Sequence, residues 1–326
     1  MTETLKKLLQ LLLDGQFHSG EQLGKALGVT RSAIWKLIKQ LEIWDLTIES
    51  VTNKGYRITE PLTLLDKPKI LSFLEPLPKN QLNNLEILDT IPSTNDYLME
   101  NRQAKLGNVV CLAEKQTKAK GRRARNWVAP FAKNIYLSIL WRFPQEPSEL
   151  SGLSLIVAMA VIEALRAYGI THPLGIKWPN DVMADGKKLA GVLVEIAGES
   201  NDICSAVIGI GLNVNMSLQN ARDITQPWID VQSLTPKSVE RNKLTGLLLN
   251  QLLKTLAQFE QQGFLPFMPQ WQPLDLTLGK PLSLQTATTE LQGIGCGINA
   301  QGHLLIDING EQKHFSGGDV SLRLSK

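Results

Sequence analysis

The chain has 326 residues, 43% of them hydrophobic and 20% charged, an ordinary globular composition that suits two or three domains rather than one. Its formal net charge of +3 is too small for the whole chain to act as a general polyanion binder, so any nucleic-acid site must be a local patch. No apolar run approaches the ~20 residues needed to span a bilayer, and residues 1–7 show no signal-peptide pattern, so the expected location is the cytoplasm with no membrane partner. Cys111, Cys204 and Cys296 stand singly in apolar, strand-like stretches, and the four histidines are far apart. Zinc spacing is therefore absent, no metal site is expected, and the thiols read as small buried hydrophobes.

In chain order, the first block runs from residue 1 to about residue 60. It opens with an apolar-periodic helix through Leu5, Leu8, Leu9 and Leu12. Ser19, with Gln22 three residues on, predicts a capping box, and Gly28 predicts the end of that second helix. Thr30 is the next expected N-cap, followed by a helix over Arg31–Trp44 with Ile34, Leu37, Ile38 and Leu41 on its inner face. Two short helices around a tight turn read as a helix-turn-helix. Two strands around Thr52–Gly55 complete it as a β-hairpin wing. Residues 61–81 form a Pro- and Leu-containing connector with room for a short helix.

The second block, residues 82–273, mixes strand candidates (Asn108–Ala113, Ile135–Trp141, Lys188–Ile196, Ala206–Val214) with long helices over Ser151–Tyr168 and Arg241–Gln262. The third, residues 274–326, holds short strands at Pro281–Gln285, Leu291–Ile298, His303–Ile308 and Ser321–Leu324, which read as a small β-barrel. The fold class is α+β: a winged helix-turn-helix, a central mixed α/β domain and a C-terminal barrel.

Three motifs carry chemistry. The Arg31–Trp44 helix presents Arg31, Ser32, Trp35, Lys36 and Lys39 away from its apolar face, and cations there can neutralise phosphates. A solvated helix serving protein contacts is the plainer reading, and Trp35 could touch DNA or pack on the wing. The second motif, Thr117–Trp127, sets five cations around Gly121 between two apolar strands. Arg offers planar bidentate donors to carboxylate and phosphate, although such a loop can equally be a nucleic-acid patch or simply solvated. The third is an ordered set: Lys-Trp-Pro-Asn-Asp at 177–181, Lys-Leu-Ala-Gly at 188–191, and the Gly-rich strand end Gly-Ile-Gly-Leu-Asn at 209–213. A lone Gly-x-Gly is weak evidence, but this series after a basic loop is specific.

With Ser93-Thr94-Asn95 upstream, these residues resemble the bacterial bifunctional biotin–protein ligases and biotin operon repressors, and the resemblance runs over essentially the whole chain. It implies a winged helix, a central ligase domain and an SH3-like C-terminal barrel, with biotin and ATP as substrates alongside Mg²⁺. The partners it implies are a biotin carboxyl carrier protein, operator DNA and a second copy of the chain when adenylate is bound. It implies that Ser93, Thr94, Asn95 and Gln116 meet the ureido end of biotin, and that strand residues around Leu189, Gly191 and Gly209 wall its ring and tail. Lys120, Gly121 and Arg122 would close over the carboxylate and phosphates, with Arg123 also at the nucleotide. Lys188 would hold the carboxylate and α-phosphate, and Arg122 and Lys188 would be the main catalytic cations. Trp127, Asn180, Asn213 and Trp228 would hold ATP or the adenylate, and Asp319 and Arg323 would support the site from the barrel.

The loop departs from the family pattern Gly-Arg-Gly-Arg-x-Gly-Arg-x-Trp: Ala119 and Ala124 replace glycines and Lys120 replaces an arginine. Competing readings are a non-enzymatic biotin-sensing regulator, a ligase whose first domain no longer binds DNA, and a lipoate ligase. Arg122, Lys188 and the 177–181 turn favour a working biotin ligase. Arg31, Lys36 and Lys39 favour DNA binding, and the basic loop together with the winged helix disfavours a lipoate ligase.

Overall fold

The computed structural model describes all residues except 43, 45, 61, 198–203, 286–288, 318–320 and 325–326, and leaves out the side chains of 321, 323 and 324. The N-terminal unit is α1 (Glu3–Leu12), α2 (Gly20–Leu27), α3 (Arg31–Glu42) and a hairpin of β1 (Ile48–Val51) and β2 (Gly55–Ile58). Its caps follow from sequence. Gln22 N donates to Ser19 Oγ at 3.1 Å while Ser19 N donates to Gln22 Oε1 at 2.8 Å, and Ala33 N donates to Thr30 Oγ1 at 3.3 Å. The third helix was expected to reach Trp44; it ends at Glu42. Trp44 turns in, and its ring packs tilted against Phe131 of the central unit, with centroids 4.8 Å apart at 52°. Phe131 and Ala132 belong to the same apolar cluster as Leu8, Ile34 and Leu41. A Cβ at Gly55 would come within 2.0 Å of the His18 carbonyl oxygen, so the close approach of wing to α1–α2 loop requires glycine there.

The connector carries two helices, α4 (Lys67–Ser72) and α5 (Pro76–Gln81), tied down along their length. Asn242 accepts from Asp66 N and donates to Leu64 O, and Asn250 accepts from Glu75 N and donates to Phe73 O. Both asparagines are buried on the long helix introduced below as α8, so the connector's end groups find partners inside the protein. Glu114, almost wholly buried, accepts from Leu65 N at 2.5 Å and pairs with Arg241.

The centre is a seven-stranded sheet of β3 (Asn84–Ile91), β4 (Val109–Gln116), β5 (Ile135–Phe143), β6 (Gly175–Lys177), β7 (Asp181–Ala184), β8 (Lys187–Ala197) and β9 (Cys204–Leu212), in the order β3-β4-β5-β9-β8-β7-β6. Only β3 and β4 run parallel. Between these strands come α6 (Thr94–Glu100) and α7 (Leu153–Tyr168), and after them α8 (Arg241–Gln262). The α7 stretch is apolar enough to cross a membrane by composition, but here it is a core helix packed on α8 and β8. Strand alternation sorts the two faces. Leu137, Ile139, Val192, Ile208 and Ile210 join the main core, while Ser138, Gly191, Leu193, Gly209 and Gly211 line the cavity on the other face. Leu189 was expected on the biotin wall; it sits at the β-bulge between β7 and β8, where alternation breaks, and its side chain is fully buried in the main core and does not line the cavity.

A five-stranded antiparallel sheet ends the chain: β10 (Pro281–Gln285), β11 (Glu290–Ile298), β12 (Leu304–Ile308), β13 (Glu311–Phe315) and β14 (Ser321–Leu324), in the order β13-β12-β11-β10-β14. Its core is Leu282, Leu284, Ile298, Leu304, Ile306 and Leu322. The class is α+β with a winged helix in front, as the sequence pattern indicates.

Candidate active site

On the sheet face opposite α7 and α8 lies a cavity of about 760 Å³. Its floor is a patch of glycines brought together by register: Gly191 on β8 stands opposite Gly211 on β9, and Gly209 lies between Leu193 on β8 and Ser138 on β5. The absence of side chains is used. A Cβ at Gly211 would come 2.6 Å from the Trp127 indole, and one at Gly209 would come 2.3 Å from Asn95 Oδ1. Trp127 thus lies flat on the floor, with Lys188 Nζ 5.3 Å over its ring. Its Nε1 is buried and has no hydrogen-bond partner among the described residues, so it is a donor available to a ligand.

One end of the cavity is polar. Ser93 caps α6 by accepting from Asp96 N. Thr94 N donates to Gln116 Oε1 at 2.7 Å, and Ser138 Oγ lies 2.7 Å from Thr94 Oγ1 and 2.6 Å from Asn95 Oδ1. Asn95 Nδ2 donates to Glu195 Oε2 at 2.8 Å. Donors and acceptors so fixed suit a small neutral group with both N–H and C=O. Ser138 is absent from the sequence-based site. The signal for it is one small hydroxyl residue at the centre of a largely apolar strand, on the face that the two glycine strands share.

The other end is cationic. Lys188 Nζ lies 2.6 Å from Asp181 Oδ1, the two side chains 15% and 19% exposed. The backbone of Lys188 pairs with the 227–229 segment, bringing Trp228 alongside, and Asn213 Nδ2 ties that segment to β8 through Ile229 O and Lys188 O. Asn180 Nδ2 donates to Val192 O, and its Oδ1 accepts from Arg122 Nη1 at 3.4 Å. Arg122 also donates to Gly317 O of the C-terminal unit. Burial lowers the pKa of the Arg122 guanidinium, with the Asp181 charge acting against that. Lys120 Nζ meets Asp96 at 2.6 Å and Glu195 at 3.1 Å. These partners raise its pKa, the Asp96 hydrogen bond most of all.

Apart from Leu189, the residues expected at biotin or nucleotide line this one cavity: Ser93, Thr94, Asn95, Gln116, Lys120, Gly121, Arg122, Arg123, Trp127, Asn180, Lys188, Gly191, Gly209, Asn213 and Trp228. Asp181, Gly211, Ser138 and Leu322 line it as well. Asp319 and the Arg323 side chain lie outside the described residues. Ala124 sits at φ 53° beside Arg123 at φ 56°, whereas Ala119 has no such backbone and is buried against Ala129 and Tyr136. The two alanines that replace glycines in the loop therefore occupy different situations.

Some distance away on the N-terminal unit, Arg31, Ser32, Trp35, Lys36 and Lys39 all lie exposed on the outer face of α3. Trp35 is 53% exposed, so it does not pack on the wing. Lys39 holds Glu42 at 2.8 Å, and Arg57 of the wing sits 4.6 Å over Phe17.

Residues 87–213 match the Biotin/lipoate A/B protein ligase family, residues 4–57 an HTH domain and residues 277–323 the Biotin protein ligase C terminal domain. The chain is 39% identical over 317 residues to the Bifunctional ligase/repressor BirA of Escherichia coli, covering 97% of this chain and 96% of that one. It belongs to the family of bifunctional biotin protein ligases and repressors. The Bacillus subtilis Bifunctional ligase/repressor BirA is 31% identical, across 99% of this chain and 100% of its own. The biotin protein ligase of Aquifex aeolicus, solved in complex with biotin and ATP, superposes with a TM-score of 0.63 at 28% identity, over 74% of this chain and 100% of that one.

Proposed function

We propose that the cavity condenses biotin with ATP to biotinyl-5'-AMP and then passes the biotinyl group to one lysine of a biotin carboxyl carrier protein. The observation that carries this is the two-ended cavity: a fixed neutral polar end at Thr94, Asn95, Gln116 and Ser138, and a cationic end at Arg122 and Lys188. A carboxylate attacking the α-phosphate brings two anions together, and the cations neutralise and align them. Lys188 would bridge carboxylate and phosphate, Arg122 and Arg123 would hold the phosphates, and Trp127 and Trp228 would flank the nucleoside. Lys120 and Gly121 would form the lid edge, with Gly191 and Gly209 leaving room for the ring and tail of biotin. ATP enters as its Mg²⁺ chelate, since a nucleotide's phosphates hold that ion with few protein ligands. Among the described residues, no three His, Cys, Asp or Glu side chains form a metal cage.

The division of labour would follow units at 1–60, 82–273 and 274–326, joined by the 61–81 connector. Arg31 and Ser32 would read bases from the N-terminal end of α3, with Trp35, Lys36 and Lys39 along the same face. A dimer formed with adenylate bound would place two such helices on operator half-sites. A purely sensory protein would not need paired cations at the acyl–phosphate position. Mixing the protein with biotin, Mg²⁺–ATP and a carrier domain should add one biotinyl mass to one carrier lysine. No mass gain at any protein concentration would reject the ligase assignment.

A further inference from the structure

We infer that Asp181 is a catalytic residue of the second half-reaction, the group that receives the acceptor lysine and takes its proton as the amide forms. The inference rests on the ligase reading above. Among the described residues lining the cavity, the carboxylates are Asp181 and Asp223. Asp223 is 73% exposed next to Arg222, whereas Asp181 is 19% exposed, on the inner wall with Lys188 2.6 Å away. Strand pairing fixes it there: it stands opposite Lys177 across β6–β7 and opposite Gly191 across β7–β8. Gly191 presents no side chain, and the space a Cβ would take there holds the Lys188 Nζ and the Trp127 ring, each 3.2 Å from that point, so the carboxylate faces the two groups placed at the acyl–phosphate position.

The nucleophile of the transfer step is itself a cation. It approaches a cavity lined by Lys120, Arg122, Arg123, Arg125, Lys177 and Lys188, which repel it. Once the adenylate is in place, its carboxyl and phosphate oxygens compete for Lys188, and the Lys188–Asp181 ion pair is weakened. Asp181 is then an inner-wall anion beside the reacting carbonyl. The acceptor lysine sheds one proton to solvent and attacks as the amine. The N–C bond forms, the acyl C–O bond breaks, and AMP leaves with that electron pair. The second amine proton passes to the Asp181 carboxylate and on to water. Nothing is oxidised or reduced, and no further reactant is required.

The test separates the half-reactions in the full-length protein. Biotin-dependent pyrophosphate exchange reads adenylation. Single-turnover reaction of pre-bound biotinyl-AMP with the carrier domain reads transfer. In Asp181→Asn, adenylation should fall by about tenfold or less, as Lys188 loses its partner, while transfer falls by about 100-fold or more, the scale of a lost general base. The deficit should persist as pH rises toward the lysine pKa, about 10.4, because extra free amine does not replace the base that takes the second proton. Asp181→Glu, which keeps a carboxylate, should keep transfer within about tenfold of the natural protein. Equal losses in both half-reactions would show that Asp181 acts only through Lys188, and undiminished transfer in Asp181→Asn would remove it from the chemistry; either overturns the inference. If the natural protein makes no adenylate at all, it is the ligase reading that fails, and exchange shows this before any variant is compared.

Discussion

Lys188 and Arg122 are cations in a place that does not favour charge, and each is kept by a nearby anion or dipole. Lys188 has Asp181, and Arg122 has the Asn180 and Gly317 oxygens and the Asp181 charge. Changing Lys188 to Gln keeps the stem and removes the charge, a charge-assisted contact worth roughly 1.5–3 kcal/mol. Biotinyl-AMP formation should drop by about one to two orders of magnitude with the far-UV spectrum unchanged. Pyrophosphate exchange at the natural rate would remove Lys188 from the mechanism. The thiols behave oppositely. Burial pushes the Cys111 pKa up to about 12 and raises that of Cys204, and both are fully buried, whereas Cys296 is half-buried on β11. A thiolate is the reactive form. Native protein at pH 8 should therefore react with an aromatic disulfide reagent first at Cys296, and labelling of Cys111 at a comparable rate would contradict the packing.

The 117–127 loop shows how neighbouring alanines can differ. The sequence expectation was that both Ala119 and Ala124 cost something where the loop needs a left-handed backbone. Only Ala124 is in that region, at φ 53°, and a non-glycine residue there is disfavoured by roughly 1–2 kcal/mol. Ala119 instead contributes a methyl to a small buried cluster. Lys120 is committed to Asp96 and Glu195 and lacks the planar fork of arginine, so it clamps an anion less well. Ala124→Gly combined with Lys120→Arg should slow biotinyl-AMP dissociation, read by stopped-flow tryptophan fluorescence with Trp127 beside the loop. Adding Ala119→Gly should give no further gain. Release at the natural rate from the double variant would mean that the bound loop does not use this backbone. On α3, Lys39→Ala should flatten the salt dependence of DNA binding by about one unit, and Arg31→Ala should relax sequence preference instead. A salt slope unaffected by Lys39 would place the phosphates elsewhere.

The two ends of the protein are joined more closely than a tether would join them. Phe131 and Ala132, four and five residues after Trp127, are buried in the winged-helix core, and Lys133 pairs with Glu60 just past the wing. Removing residues 1–60 should abolish the shift of operator DNA. It should also weaken adenylation without eliminating it, because the cavity remains but Phe131 is uncovered directly downstream of the loop. The same deletion retaining a full DNA shift would refute the role of α3. Phe131→Ala in the full chain should cost about 3–5 kcal/mol at this joint, seen as loss of a cooperative thermal transition for the N-terminal unit. An unchanged transition would show that the units melt independently of that contact.

Where local chemistry decides the structure, the sequence was sufficient. The Ser19–Gln22 box, the Thr30 cap and the 3.6-residue spacing of Ile34, Ile38 and Leu41 fix the helix-turn-helix within a few turns of backbone. The resemblance then named the residues that meet in the cavity. Edge elements were illegible. The β13 strand is exposed and charged, with no apolar alternation to reveal it, and β6 and β7 are three and four residues long. The mixing of Phe131 into the winged helix and the pinning of the connector by Asn242 and Asn250 were also left to the tertiary structure. Sheet register put Ser138, Gly191, Gly209 and Gly211 on the cavity face and placed Asp181 against Lys188, while the β-bulge between β7 and β8 buried Leu189 away from the cavity. Periodicity along one strand tells which residues share a side, but which strands lie adjacent, and in what alignment, is settled only by the packing of segments far apart in the chain.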